Sequence, residues 1–274
     1  MTRRKGIMLA YPLEEKRLHK WGPPYICQPK LDGERCRALP GLLLSSEENP
    51  FFFLDHIHEE LDMIREDLPG LEFDGELSSR ELSFEEIHSR ISRTKNKHPE
   101  IEQVQYHIFD YKSKEAQVVR TMKLAKYAKE VQGDYVHFVP SLIAESFEEV
   151  MNLYNRWVSQ GYEGIIVRHP TYPYVERRST GMVKFKPKKR DEYKVIGYKE
   201  EVSIDGVPKG RLGALVCESD GEEFSVGSGF TDEQRLALWE EKDLLYGSTV
   251  VVEYQHTTKE RKVPRFPIYF SIKL

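Results

Sequence analysis

The pattern of apolar and polar positions divides the chain into two parts of different character. Up to about residue 188, short apolar runs alternate with segments of helical periodicity. Three of these runs are rich in β-branched and aromatic residues and predict strands: QYHIFDY, GIIVRH and MVKFKP. Two segments predict helices, because Ser83 and Ser146 are each followed three residues later by a glutamate, as in a capping box.

The residues after about 188 predict a second domain made largely of strands. Three apolar runs with Gly, Ser and Asp turns come first: YKVIGYKEE, RLGALVCESD and EEFSVGSG. A helix capped by Thr231 follows, with Gln234 in the capping-box position, and then the strands STVVVEYQ and FPIYFSIKL. Three strands, a helix and two strands predict a five-stranded OB-fold β-barrel. The predicted fold class is therefore α+β, with domains at residues 1–188 and 189–274.

Composition and charge are those of a soluble globular protein. Charged residues make up 31% of the 274 residues and apolar residues 39%. No apolar run approaches the roughly 18 residues that a membrane-spanning helix needs, so the sequence predicts no membrane association. The three cysteines form no CxxC pair, which favours a reducing cytoplasmic location over a disulfide scaffold. The net charge of −4 does not indicate a polyanionic partner, but the segment MVKFKPKKR is strongly basic.

The stretch QPKLDGERC contains the first candidate for chemistry. Gly33 permits a tight bend, so Lys30 and Arg35 can lie on either side of one turn between two strands. A lysine amine becomes nucleophilic when nearby cations and partial burial favour its neutral form. The alternative, a β-turn with solvated charges, stays open on this stretch alone.

Two further stretches place carboxylates at the ends of predicted strands. In EFDGEL, Asp74 and Glu76 are two residues apart and point to one face of a strand. In GYEGIIVR, Glu163 directly precedes an apolar strand. Such carboxylates can orient a ribose or hold Mg2+ through oxygen ligands, and acidic turn residues are the alternative.

The fourth stretch, MVKFKP, alternates apolar and basic residues. Lys184 and Lys186 share one face of the predicted strand and can bracket a phosphate, unless they form an ordinary solvated face. Phe109 in YHIFDY can stack on a base, although core packing is the more common role of a strand phenylalanine.

Together and in this order, these stretches resemble the ATP-dependent DNA ligases of the covalent nucleotidyltransferase superfamily, of the minimal viral and bacterial type. The resemblance is carried by KLDGER, FDGEL, YHIFDY, EGIIVR and VKFK, and in the second domain by VGSGFTDEQR and VPRFPIYFSIK. It implies a nucleotidyltransferase (adenylation) domain with antiparallel sheets at residues 1–188, followed by the OB-fold domain at 189–274.

The resemblance also implies a reaction in three steps. A lysine attacks the α-phosphate of ATP and becomes lysyl-AMP, the AMP passes to the 5′-phosphate at a nick, and the 3′-hydroxyl then displaces AMP. The implied cofactors are ATP as cosubstrate and Mg2+ or Mn2+. The implied partner is nicked duplex DNA, bound by a cytoplasmic monomer that needs no obligate protein partner.

The resemblance assigns a role to each matching residue. Lys30 is the nucleophile, Arg35 and Glu76 contact the ribose with Arg35 also reaching the nick, and Phe109 stacks on adenine. The ATP-binding set is Gln28, Lys30, Leu31, Arg35, Glu76, Phe109, Glu163, Lys184 and Lys186. The metal ligands are Glu76 and Glu163. The candidates for DNA or phosphate contacts are Asp32, Arg168, Arg178 and Arg265.

Two departures from the family pattern accompany these matches. The stretch LLSSEENPF lacks the Ser-Arg pair that relatives carry, and the family's RxDK motif is absent, with Arg265 the nearest substitute. Other functions remain as alternatives: an RNA ligase, a GTP-dependent capping-type nucleotidyltransferase, and a non-catalytic OB-containing nucleic-acid binder. The complete set of Lys30, Glu76, Glu163, Lys184 and Lys186 favours a catalyst over the binder.

Overall fold

The chain divides into two units, Met1–Lys186 and Pro187–Leu274. The computed structural model describes residues 4–67, 70–130, 133–186, 189–254, 257–258, 260–264 and 267–273. No helix in these ranges is long and apolar enough to cross a membrane.

The first unit is built from strands and helices in alternation. Its strands in the described ranges are β1 Leu9–Pro12, β2 Tyr25–Lys30, β3 Glu34–Leu39, β4 Leu42–Ser45, β5 Phe73–Ser78, β6 Gln105–Tyr111, β7 Val136–Phe138, β8 Leu142–Ala144, β9 Gly164–Arg168 and β10 Arg178–Phe185. The helices there are α1 Glu15–Trp21, α2 Asp55–Asp67, α3 Phe84–Ile91, α4 Gln117–Glu130 and α5 Phe147–Ser159, with a short 3-10 turn at Ile101–Gln103.

These strands form two mixed sheets, which are mainly antiparallel. One has the order β1-β10-β9-β2-β8 and the other β4-β3-β5-β6-β7. The KLDGER bend joins two strands, as predicted, but β2 and β3 belong to different sheets and do not pair. A Cβ atom on Gly33 would lie 2.2 Å from the carbonyl oxygen of Leu77. The glycine therefore lets the bend pass close to β5, which allows the chain to cross between the sheets.

Each sheet packs helices against one face. Helix α5 buries Val150, Tyr154 and Trp157, which recur at helical spacing, against a core that includes Ile165 and Val167 of β9. Full burial of each large apolar side chain contributes about 1.5–3 kcal/mol. Because side chains alternate along a strand, the opposite strand faces remain available for the polar residues described below.

The predicted helix starts are present, with one difference. Ser83 and Glu86 form the complete capping box at α3. At α5, the Ser146 hydroxyl accepts a hydrogen bond from the Glu149 backbone N–H at 3.1 Å. The Glu149 carboxylate, however, accepts from the backbone N–H of Glu145 at 2.8 Å. The predicted box at α5 is therefore only half formed.

The second unit confirms the predicted OB-like order of elements. In the described ranges the strands are β11 Lys189–Val202, β12 Pro208–Ser219, β13 Glu222–Val226, β14 Thr249–Tyr254 and β15 Ile268–Lys273, with helix α6 at Asp232–Glu240 between β13 and β14. The capping box of Thr231 and Gln234 begins α6, as predicted.

The strands of the described ranges form this OB-like domain without a closed ladder. Their order, β13-β12-β11-β14-β15, is that of an open sheet. The two edges meet at an isolated parallel bridge between Ser228 and Ile268. After Val226 the chain turns away at Gly229, whose φ of +96° interrupts an extended strand. A continuous ladder between β13 and β15 therefore does not develop.

Candidate active site

Lys30, Glu163 and Lys186 come together because β9 lies between β2 and β10. Lys30 is the last residue of β2 and Glu163 directly precedes β9. The Lys30 ammonium group donates to the Glu163 carboxylate, and the Lys186 ammonium group donates to its other oxygen at 3.0 Å. One partly buried carboxylate thus bridges two of the predicted lysines.

The backbone around Glu163 is held close to both neighbouring strands. The backbone N–H of Glu163 donates to the carbonyl oxygen of Lys30 at 2.9 Å. A Cβ atom on Gly164 would lie 2.1 Å from the carbonyl oxygen of Phe185. Glycine after Glu163 is therefore required for the close approach that brings this carboxylate to Lys186.

The electrostatics of this cluster favour an anionic ligand. Burial acts to raise the pKa of Glu163, but the charges of Lys30 and Lys186 outweigh it and lower that pKa. Burial lowers the pKa of Lys184, and the nearby charges of Lys30 and Lys186 lower it further. Three lysines beside the two carboxylates of Glu163 and Glu76 leave an excess of positive charge, which is the arrangement that stabilises a phosphate group.

Arg35 lies on β3 in the other sheet, across the space between the two sheets that we call the cleft. It is held in place by Asp74. Its guanidinium donates to the Asp74 carboxylate through Nε at 2.6 Å and through a terminal nitrogen at 2.5 Å. Tyr174 also donates to Asp74, at 2.6 Å. Because the Asp74 carboxylate is 2% exposed and engaged in this way, it is not free to bind metal. The Arg35 guanidinium lies over the Phe109 ring, 4.5 Å from its centroid.

Glu76 pairs with Arg35 across β3 and β5 and with His107 across β5 and β6. We expect Glu76→Gln to stabilise the protein more at pH 8 than at pH 5 in metal-free buffer. Burial raises the pKa of Glu76 to about 7 from the usual 4.5, although Lys30 and Arg35 oppose the shift. At pH values between 4.5 and about 7, the folded state keeps a proton on Glu76 that the unfolded state has released. The wild-type free energy of unfolding therefore falls as pH rises.

Thermal denaturation of both proteins at the two pH values measures this effect, since glutamine does not titrate. The difference in Tm between variant and wild type should grow from pH 5 to pH 8. A difference of the same size at both pH values would contradict a raised pKa at Glu76.

Gln28 and Arg168 lie in a buried network rather than at the surface of the cleft. Both residues are 2% exposed. Gln28 donates to the Phe109 carbonyl oxygen at 2.9 Å and to the Ser141 hydroxyl at 3.0 Å. It accepts from Arg168 at 2.7 Å, and Arg168 also donates to Asp110 at 2.8 Å. The predicted phosphate contact by Arg168 does not fit this position, because its guanidinium is enclosed and neutralises Asp110.

The other predicted contacts are scattered. Leu31 follows the lysine directly, and its carbonyl oxygen accepts from the Lys30 ammonium group at 3.3 Å. Asp32 is exposed. Arg178 begins β10, where it pairs with Leu9 while Lys184 pairs with Pro12, and it donates to the Ala10 carbonyl oxygen at 2.5 Å. Arg265 lies outside the described residues.

A cavity of about 510 Å3 lies next to the end of β2, although Lys30 itself is not among its lining residues. Pro29 and Leu31, on either side of Lys30, contribute to its wall, together with His107 and His137. The two imidazole rings are 5.1 Å apart. Burial, with the neighbouring His137 and a nearby arginine, lowers the pKa of His107 to about 4. Neither histidine was predicted from the sequence, although the alternation in QYHIFDY places His107 on the same strand face as Phe109.

The residues present fit an Mg2+ ion that is held partly by the phosphates of a substrate. They do not form a metal site built from protein ligands alone. Glu76 and Glu163 supply two carboxylates beside the lysines. The described ranges contain no group of three His, Cys, Asp or Glu side chains that could hold a metal. Mg2+ commonly binds one or two carboxylates plus substrate phosphates and retains several waters, which matches these two residues.

Comparisons with known proteins place the whole chain among the DNA ligases. The family model of the ATP dependent DNA ligase domain matches residues 7–186, and that of the DNA ligase OB-like domain matches residues 205–273. A DNA ligase of Haemophilus influenzae is 29% identical over 273 residues, covering 97% of this chain and 92% of that enzyme.

More distant relatives agree. A DNA ligase of African swine fever virus is 26% identical over 265 residues, covering 87% of this chain but only 61% of the viral enzyme. A solved Lig E DNA ligase structure has the same fold, with a TM-score of 0.78 at 22% identity, covering 98% of this chain and 99% of that one. From the match over residues 7–186, the chain belongs to the ATP-dependent DNA ligase family.

Proposed function

We propose that this protein seals nicks in duplex DNA through a covalent AMP on Lys30. The observation that carries the proposal is the contact of Lys30 and Lys186 with one carboxylate of Glu163. This arrangement gives a nucleophile on a strand end, a second cation beside it and a carboxylate that orients both. Such a constellation suits attack on a phosphate, because positioning and charge stabilisation account for most of phosphoryl-transfer catalysis.

In the proposed first step, the deprotonated amine of Lys30 forms a bond to the α-phosphorus of ATP while the bond to pyrophosphate breaks. Lys184 and Lys186 offset the charge that develops on the phosphate oxygens. In the second step, an oxygen of the 5′-phosphate at the nick takes the AMP and the bond to nitrogen breaks. In the third, the 3′-hydroxyl attacks that 5′-phosphate and AMP leaves.

We assign supporting roles to the residues around this centre. We assign the ribose contact to Arg35, which Asp74 fixes, and the stacking on adenine to Phe109, whose ring exchanges its contact with the Arg35 guanidinium for the base. Glu76 contributes a carboxylate from the opposite sheet for the ribose or for Mg2+. When bound by Glu76 and Glu163, Mg2+ or Mn2+ supplies Lewis-acid stabilisation of phosphate charge.

Labelling of the protein by a nucleotide tests the proposed function. We expect label from α-labelled ATP in the presence of Mg2+, followed by transfer of that label to nicked DNA and then sealing. Label from GTP alone would indicate capping chemistry, and sealing of nicked RNA but not nicked DNA would indicate an RNA ligase. Failure of both nucleotides to label the protein would favour a non-catalytic binder and contradict the proposal.

We further propose that the protein acts as a monomer in the cytoplasm. This part of the proposal rests on the composition and on the resemblance described above. Sedimentation of the purified protein with and without nicked DNA measures the state of association. A stable dimer that dissociates with loss of sealing would contradict it.

A further inference from the structure

The guanidinium group of Arg35 is part of a closed ring of hydrogen bonds. Its Nη2 donates to the backbone carbonyl oxygen of Met8 at 3.1 Å and to the Asp74 carboxylate at 2.5 Å. Tyr174 donates to the same carboxylate oxygen at 2.6 Å. The backbone N–H of Met8 donates to the Tyr174 hydroxyl at 3.1 Å, which closes the ring. Each of the four residues is therefore held by two of the others.

Tyr174 connects the two sheets of the first unit through this ring. It lies in the loop between β9 and β10, and Met8 directly precedes β1, so both flank the sheet that carries Lys30. Arg35 on β3 and Asp74 on β5 belong to the other sheet. Tyr174 is 8% exposed, and burial raises the pKa of its hydroxyl group. The hydroxyl therefore stays protonated and available as the donor that Asp74 requires.

The ring leaves one nitrogen atom of Arg35 available to a substrate. Nε donates to Asp74 at 2.6 Å and Nη2 is engaged in the ring. Nη1 donates to no residue in the part of the chain that the structure describes. Because a guanidinium group is planar, fixing two of its nitrogens also fixes the direction of the third. The Arg35 side chain remains 22% exposed, so this third nitrogen can reach a bound molecule.

We propose that Tyr174 is a positioning residue for the reaction, and that it directs Nη1 of Arg35 towards the nucleotide. Without the Tyr174 hydroxyl, Asp74 loses a donor and the buried N–H of Met8 loses its acceptor. A buried donor without a partner is unfavourable, so both groups shift towards other partners and Arg35 moves with them. This inference rests on the proposed function, since Arg35 acts there on the nucleotide that labels Lys30.

Tyr174→Phe tests the proposal because it removes the hydroxyl and keeps the aromatic ring. We expect the KM for labelling by ATP to rise by about 10-fold, the contribution of one hydrogen bond. The kcat should stay within about twofold of the wild-type value, because a contact that is equal in the ground state and the transition state affects KM alone. Labelling is measured at a temperature at which circular dichroism shows the variant to be folded.

A double-mutant cycle shows whether Tyr174 acts through Arg35. In the Arg35→Ala background, Tyr174→Phe should change the KM for ATP by less than about twofold, because no guanidinium group remains to be directed. A loss equal to that in the wild-type background would contradict the proposal. Arg35→Lys keeps the charge but lacks the planar fork, and it serves as the background if Arg35→Ala does not fold. If labelling is too slow, equilibrium dialysis with ATP gives the dissociation constants for the same cycle.

Tyr25→Phe separates positioning from a general loss of stability. Tyr25 is 3% exposed and donates to the Leu18 carbonyl oxygen at 3.0 Å, so this variant loses a buried hydrogen bond outside the ring. Both phenylalanine variants should have a lower Tm, but only Tyr174→Phe should raise the KM for ATP. An equal rise in KM in both variants would contradict a specific role of Tyr174.

The outcomes distinguish this inference from the function on which it rests. Normal labelling of the wild type, with an unchanged KM for ATP in Tyr174→Phe, would overturn the inference alone. Absence of label from the wild type would overturn the proposed function and this inference together.

Discussion

Lys30→Ala is expected to abolish the covalent AMP and to lower nick sealing by about four orders of magnitude or more, the effect of removing a nucleophile. The side chain lies at the end of β2, where its ammonium group contacts Glu163. Lys184 and Lys186 cannot replace it, because they extend from β10 and the residue after it, on the other side of β9. Gel electrophoresis after incubation with α-labelled ATP measures the loss of label.

A substrate that already carries AMP on its 5′-phosphate separates loss of the nucleophile from loss of the fold. Lys30→Ala should still seal this pre-adenylated nick, because the third step requires no lysyl-AMP. The matched control is Lys123→Ala, which removes an exposed lysine 2.6 Å from the Glu115 carboxylate and should label normally. Persistent labelling of Lys30→Ala would place the nucleophile elsewhere and contradict the assignment.

The central part of the site is accessible from the sequence because its residues occupy strand ends. Lys30 and Glu163 flank apolar runs of strong strand character, and a side chain at a strand end is both fixed and exposed to a cleft. The resemblance of these stretches to the ligase motifs therefore predicted a cluster, and the structure brings Lys30, Glu163 and Lys186 into contact. The order of strands and helix in the second unit was predictable for a similar reason, since the capping box of α6 separates the strands clearly.

The burial of individual residues and the pairing of strands that are far apart in the chain could not be predicted from the sequence. The resemblance made Arg168, which directly follows the apolar residues of GIIVR, a candidate for a phosphate contact. The sequence does not reveal that Asp110 and Gln28, 58 and 140 positions away, enclose its guanidinium. Likewise His137 reaches His107 only through the parallel pairing of β6 with β7, a connection that no local pattern in the sequence marks.

The role of the two site glycines also depended on tertiary structure. In KLDGER, a glycine suggests a turn, whereas Gly33 in fact allows close contact with the Leu77 carbonyl oxygen. Gly164 likewise faces the Phe185 carbonyl oxygen. Both glycines thus bring strands close together around Lys30, and neither position is explained by the local preference of glycine for turns.

The largest loss of stability is expected from a substitution in the buried network of Asp110, Arg120 and Arg168. Asp110 is 0% exposed and accepts hydrogen bonds from Arg120 at 2.8 and 3.1 Å and from Arg168 at 2.8 Å. Asp110→Ala would leave two buried guanidinium groups without a carboxylate. Breaking a buried ion pair by removing one partner costs about 3–5 kcal/mol, so we expect the Tm to fall by roughly 10 °C.

Differential scanning calorimetry at pH 7 measures this loss, and Glu102→Ala provides the matched comparison. Glu102 pairs with Lys97 at 3.3 Å on an exposed surface, where an ion pair contributes at most about 1 kcal/mol. If both variants unfolded at the wild-type temperature, Asp110 would not be the residue that neutralises the buried arginines.

The expected loss extends to the site itself, because Arg168 connects Asp110 to Gln28 and Gln28 is hydrogen-bonded to the backbone of Phe109. Asp110→Ala protein that remains folded at 10 °C should therefore show a higher KM for ATP, whereas Glu102→Ala should not.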